Sequence, residues 1–137
     1  MLRNLLLGTI LAVGLGTAAS AATVQYAAAL DGKSEVPAKT GSGFGDALAT
    51  LDTKTKTLAY TITFQGLSGA ATAAHFHSGE VGKNGGVAVP ISPNTSPFEG
   101  SATLTDAQAA ELTAGKWYVN VHTDANKGGE IRGQVTK

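Results

Sequence analysis

Apolar and polar residues alternate one for one along most of this chain, and a period of two belongs to a strand with one buried face, not to a helix. Val24, Tyr26, Ala28 and Leu30 alternate with Gln25, Ala27 and Ala29. Leu58, Tyr60, Ile62 and Phe64 alternate with Thr57, Ala59, Thr61 and Thr63. Further segments at 44–51, 71–77, 87–91, 98–104, 116–122 and 131–136 also read as strands. Turn signals such as Asp31-Gly32, Asn84-Gly85-Gly86 and Gly128-Gly129 separate them. About eight short strands at this spacing predict an all-β domain, an antiparallel Greek-key sandwich or barrel.

One segment departs from the pattern. Thr105-Asp106-Ala107-Gln108 is a capping box, in which the Thr105 hydroxyl accepts from the Gln108 amide and the Gln108 side chain reaches back. Ala107 to Leu112 are helix formers, and Gly115 can take a left-handed stop, so a short helix is expected near 105–114.

The N-terminus reads as a leader. Arg3 precedes an apolar run from Leu5 to Leu15, and Ala19-Ser20-Ala21 offers a small-residue cleavage site. A membrane anchor needs about 20 apolar residues, so a signal peptide over 1–21 is expected and a stable membrane span is not. The expected mature chain, 22–137, is a single exported domain, periplasmic or secreted. It loses one of the 10 basic residues and none of the 10 acidic ones, giving 9 minus 10, or a charge of −1. That balance excludes a nucleic-acid surface, which needs clustered Lys and Arg. The absence of cysteine excludes disulfides, thiol catalysis and thiolate metal sites, leaving imidazole and oxygen for any chemistry.

Alternation sends His75 and His77 to the face opposite Ala74 and Phe76. It likewise sends His122 outward with Tyr118 and Asn120, away from Trp117, Val119 and Val121. All three histidines are thus expected on the polar, solvent-facing side of strand ends, each before a glycine-rich loop. Histidines two apart on a strand have β-carbons about 6–7 Å apart, and their nitrogens can converge on one ion at about 2 Å. A third histidine on a neighbouring strand would complete a three-nitrogen site, provided the nitrogens can converge to within about 4 Å of one another. If the two strands are not neighbours, the same residues are solvated surface histidines.

Two long segments carry a family resemblance. Ala74-His75-Phe76-His77-Ser78-Gly79 with Gly82-Lys83-Asn84-Gly85 is the first. The second runs from Ala114 to Thr123 and on through Asn126-Lys127-Gly128-Gly129-Glu130-Ile131-Arg132-Gly133-Gln134. In this order they resemble the CHRD domain, a module named for chordin and frequent in exported bacterial proteins. The likeness spans nearly all of 22–137, with Lys127 standing where the family usually has proline. It implies an extracellular context and an extracellular protein partner.

A second likeness, to the copper site of copper,zinc superoxide dismutases, rests on His75-x-His77, the later His122, and Gly128-Gly129 ahead of Arg132. It implies a Greek-key barrel in which His75, His77 and His122 hold a copper ion and Arg132 guides a small anion such as superoxide. Asn120, Asp124 and Glu130 are then the neighbours that would fix an imidazole tautomer. No fourth histidine bridges to zinc, so this likeness implies a copper-only site with dismutase-like redox activity. Two alternatives stand beside it: a non-catalytic extracellular interaction module without a native metal, and an Arg132 ion-paired to Glu130 or another carboxylate.

Overall fold

The alternating segments pair into one antiparallel sheet in the computed structural model, which describes residues 22–92 and 95–137. The expected leader over 1–21 lies outside the described residues. The strands are β1 (Thr23–Asp31), β2 (Phe44–Asp52), β3 (Thr57–Gln65), β4 (Ala71–Ser78), β5 (Val87–Ile91), β6 (Phe98–Thr103), β7 (Trp117–Thr123) and β8 (Ile131–Gln134). Among the described residues there is one helix, α1, spanning Asp106–Thr113 between β6 and β7.

The strands hydrogen-bond in the order β5-β4-β7-β8-β1-β2-β3-β6. β1 to β3 form a meander, after which the chain crosses to the far end of the sheet for the β4–β5 pair. It returns with β6 beside β3, passes through α1, and sets β7 beside β4. The sheet curls until its ends face each other, forming a nearly closed barrel. Tyr60 on β3 packs edge-on against Phe76 on β4 with centroids 5.1 Å apart, although four strands lie between theirs in the sheet order. Phe76 in turn meets Trp117 at 5.9 Å.

The inward residues are those the period of two selected: Tyr26, Ala28 and Leu30; Ala47, Ala49 and Leu51; Leu58, Tyr60 and Ile62; Ala74 and Phe76; Trp117, Val119 and Val121. Each fully buried large side chain contributes about 1.5–3 kcal/mol, which lets a chain without disulfides hold its fold. The capping box forms in both directions, with Gln108 N–H donating to Thr105 Oγ1 at 3.2 Å and Thr105 N–H donating to Gln108 Oε1 at 2.9 Å. Gly115 takes φ +72° and ends the helix, as its position predicts.

One expectation is corrected here. The outward face of β7 does not meet solvent: every residue from Trp117 to Thr123 is buried. Loops between β1 and β2, β4 and β5, and β7 and β8 fold over that face. The Asn84 side chain ties two of them together by donating to Val36 O at 2.8 Å. Histidines on the polar side of β4 and β7 therefore sit beneath a lid of loops.

Candidate metal centre

The antiparallel register of β4 and β7 brings the three histidines together. Ala73 pairs with His122, His75 with Asn120, and His77 with Tyr118, all on the face away from the barrel core. Ala73 carries only a methyl group opposite His122, leaving room for that ring to lean toward His75. The His75 and His122 ring centroids are 4.8 Å apart, and those of His75 and His77 are 5.2 Å apart.

Two of the rings are oriented by main-chain oxygens. His77 Nδ1 lies 3.0 Å from Gly85 O, and His122 Nδ1 lies 2.9 Å from Lys127 O. A carbonyl can only accept, so both Nδ1 atoms carry hydrogen and both Nε2 atoms present lone pairs. His122 Nε2 lies 3.0 Å from His75 Nδ1, which must then be the donor of that pair. His77 Nε2 is buried and has no hydrogen-bond partner. A buried nitrogen left bare costs free energy unless something supplies its missing interaction.

One nitrogen from each of the three rings falls in a set lying within 4.8 Å of one another. Two ligands of one ion are at most about 4.2 Å apart at bonds of about 2.1 Å, so the widest pair must close by about 0.6 Å. Rotation of the rings about their side-chain torsions would have to supply that. The three histidines could therefore hold a metal ion, with His75, the least buried of them, at the entrance.

Their surroundings favour the neutral form of His75 and His77. Burial, followed by repulsion from His122 and His77, holds His75 below the ordinary imidazole range. For His77, burial is again the largest cause of a lowered pKa, opposed by the Gly85 carbonyl. Neutral imidazole is the form that ligates metal.

The other expected site residues fall into different places. Asn120 lies in this cluster, opposite His75 in the register and buried with its Oδ1 unpartnered. Asp124 is exposed at the start of the following loop, with no hydrogen bond to a histidine among the described residues. Glu130 is buried but committed elsewhere: Ser68 Oγ and N–H donate to it at 2.5 and 2.7 Å, Thr123 Oγ1 at 2.6 Å and Asn126 Nδ2 at 3.1 Å. Burial would raise its pKa, but these donors outweigh that and hold it below the usual carboxylate range. It fastens the β7–β8 loop and touches no histidine ring.

Arg132 also differs from both expectations. Its guanidinium makes no ion pair with Glu130, and at 2% exposure it is not open to an incoming anion. It donates to Asn84 Oδ1 at 3.1 Å, Lys83 O at 2.7 Å and Glu80 O at 3.2 Å. Its Cζ stands 3.5 Å above the Tyr118 ring. Three of its five N–H donors are thus already engaged.

Sequence reasoning missed Gly85, Lys127, Tyr118 and Glu35. Gly85 and Lys127 act through their main-chain oxygens, which leave no residue-type signal. Tyr118 was placed on the correct face, and its ring stacks on His77 at 4.7 Å with 1° between planes. Glu35 is buried in the β1–β2 loop with Oε1 unpartnered, and burial pushes its carboxyl pKa up. No alternation could place it there.

Comparison with known proteins agrees with the resemblance in the sequence. The family model for the CHRD domain matches residues 26–135, from the first buried tyrosine of β1 to the segment beyond β8. No curated protein and no solved structure matches the chain. The match takes in all of the barrel except the first three residues of β1, including both histidine-bearing strands, and the chain belongs to the CHRD domain family.

Proposed function

We propose that this protein is an exported copper-binding protein whose single ion is held by His75, His77 and His122, and that it carries out dismutase-like redox chemistry on superoxide. The observation that supports the reading most is the bare, buried Nε2 of His77, facing two further imidazoles whose nitrogens lie within the same 4.8 Å set. A set of three imidazoles suits copper, which also stands highest among the divalent first-row ions in affinity for such ligands. When bound, copper would supply one-electron chemistry, accepting an electron from one superoxide and returning one to the next.

The chain's own residues do the rest. Gly85 O and Lys127 O hold the Nδ1 hydrogens of His77 and His122, so their Nε2 lone pairs keep one direction. The hydrogen that His75 Nδ1 shares with His122 Nε2 lies between two candidate ligands, so ligation requires His75 either to change tautomer or to turn. The covering loops exclude bulk water from His77 and His122, and the half-buried His75 leaves an approach for a small molecule. Arg132 has no anion-guiding role in this reading.

Titrating Cu2+ into protein purified without a histidine tag, followed by a dismutation assay, tests the proposal. Tight binding of one ion, lost in the double variant His75→Ala plus His77→Ala, is the expected result. Binding that is weak, or unchanged in the double variant, contradicts it.

The second reading is a non-catalytic extracellular module. It is favoured by family membership, since CHRD domains are generally extracellular and need no metal for that role. A partner that binds equally well with and without chelator would select it.

A further inference from the structure

Arg132 is the one large cation in the buried set, and among the described residues no carboxylate lies within ion-pair distance of it. Removing a guanidinium from water costs several kcal/mol unless its donors are satisfied. Here three of the five are satisfied, all by one loop, 79–86, through Glu80 O, Lys83 O and the Asn84 side chain. The planar face of the same group lies on Tyr118. Tyr118 lies parallel to His77 on its other side, and its hydroxyl accepts from Gly85 N–H at 3.1 Å. Gly85 O is the acceptor that fixes the His77 tautomer.

Two glycines confirm how closely these parts fit. A Cβ on Gly79 would stand 2.8 Å from the Tyr118 ring, and one on Gly85 would stand 1.5 Å from Ser78 O. The loop thus reaches His77 only along a path that Arg132 and Tyr118 define.

We propose that Arg132 is a positioning residue for the metal site: through the Tyr118 ring and the 79–86 loop it aims His77 and keeps the Gly85 carbonyl on its Nδ1. This rests on the three-histidine reading of the site. Lysine cannot replace it, because a single ammonium lacks both the fork that spans three oxygens and the flat face that stacks on tyrosine. Because the loop and the ligand are held by one group, metal binding and closure of the loop are coupled.

The test uses the full chain, Cu2+ alone as probe, and the variants Arg132→Lys, Arg132→Gln and Tyr118→Phe. Three quantities are read: affinity by competition with a chromogenic chelator, the electron paramagnetic resonance spectrum of the loaded protein, and the rate of tryptic cleavage after Lys83 with and without Cu2+. Both Arg132 variants should weaken binding by about 10–100-fold, change the spectrum and cleave faster at Lys83, with copper protecting the original chain but not the variants. Original-like affinity and spectrum in Arg132→Lys and Arg132→Gln would overturn the proposal while leaving the three-histidine site intact. If the unaltered protein binds no copper, or His77→Ala binds it equally well, the site reading fails first. Should the Arg132 variants not fold, Tyr118→Phe decides: it keeps the ring and loses only the hydroxyl on Gly85, and unchanged copper affinity and spectrum there overturn the proposal.

Discussion

His77 presents its Nδ1 to the main-chain oxygen of Gly85 at 3.0 Å, while its Nε2 is buried without a partner. The ring is therefore oriented at one end and unsatisfied at the other, the arrangement of a ligand whose outer partner is a backbone carbonyl. Gly85→Ala tests this without altering any ligand. Its Cβ would stand 1.5 Å from Ser78 O, so the loop must move and withdraw the carbonyl. The expected outcome is a loss of about 2–3 kcal/mol in denaturant-measured stability together with copper affinity lowered by about tenfold or more.

Glu130 separates holding a loop from serving the metal. Its carboxylate takes hydrogen bonds from Ser68, Thr123 and Asn126 and none from a histidine. Glu130→Gln should cost about 1–3 kcal/mol of stability, read as a lowered Tm. Copper affinity of the folded variant should stay within about threefold of the original, well short of the 10–100-fold loss of a residue that orients a ligand. A larger affinity loss at full folding would restore the tautomer-fixing role expected from the sequence.

Acid should destabilise the protein in two windows. His75 and His77 have folded pKa values below their unfolded value of about 6.5. The unfolded chain therefore binds more protons there, and stability present above pH 6.5 falls as pH drops through the folded values. Glu130, also lowered, adds a second loss below its unfolded value of about 4.3. Glu35 has the opposite sign, because its raised pKa favours the protonated form and its contribution declines as pH rises past about 4.3. Urea unfolding at a series of pH values should show stability rising with pH up to about 6.5, and more steeply in Glu35→Gln.

Metal should stabilise the native chain, because the converged nitrogens exist only when β4 and β7 pair. At free Cu2+ one hundred times the dissociation constant the gain is about 2.7 kcal/mol, seen as a raised Tm that a chelator reverses. In His122→Ala the rise should vanish.

Much of this was legible in the sequence, for a physical reason. A period of two is a direct consequence of strand geometry, so all eight strands lie within about two residues of their expected bounds, and the capping box placed α1. The same alternation put His75, His77 and His122 on one kind of face. It could not say that β4 and β7 are neighbours, since that depends on a crossover from β3, nor that loops cover the face and bury Tyr118 to His122. The surroundings of Arg132, Asp124 and Glu130 were not legible for a related reason. Their partners are main-chain oxygens, hydroxyls or solvent supplied by loops whose course no local pattern records.

The central claim concerns three imidazoles around one ion, and X-ray absorption at the copper edge measures that directly. In protein loaded with one equivalent of Cu2+, the account predicts three nitrogen ligands at about 2 Å, with the outer-shell scattering of imidazole rings, and loss of that pattern in the variant His75→Ala plus His77→Ala. A shell of oxygen ligands without imidazole scattering, or a spectrum unchanged in the double variant, would contradict it.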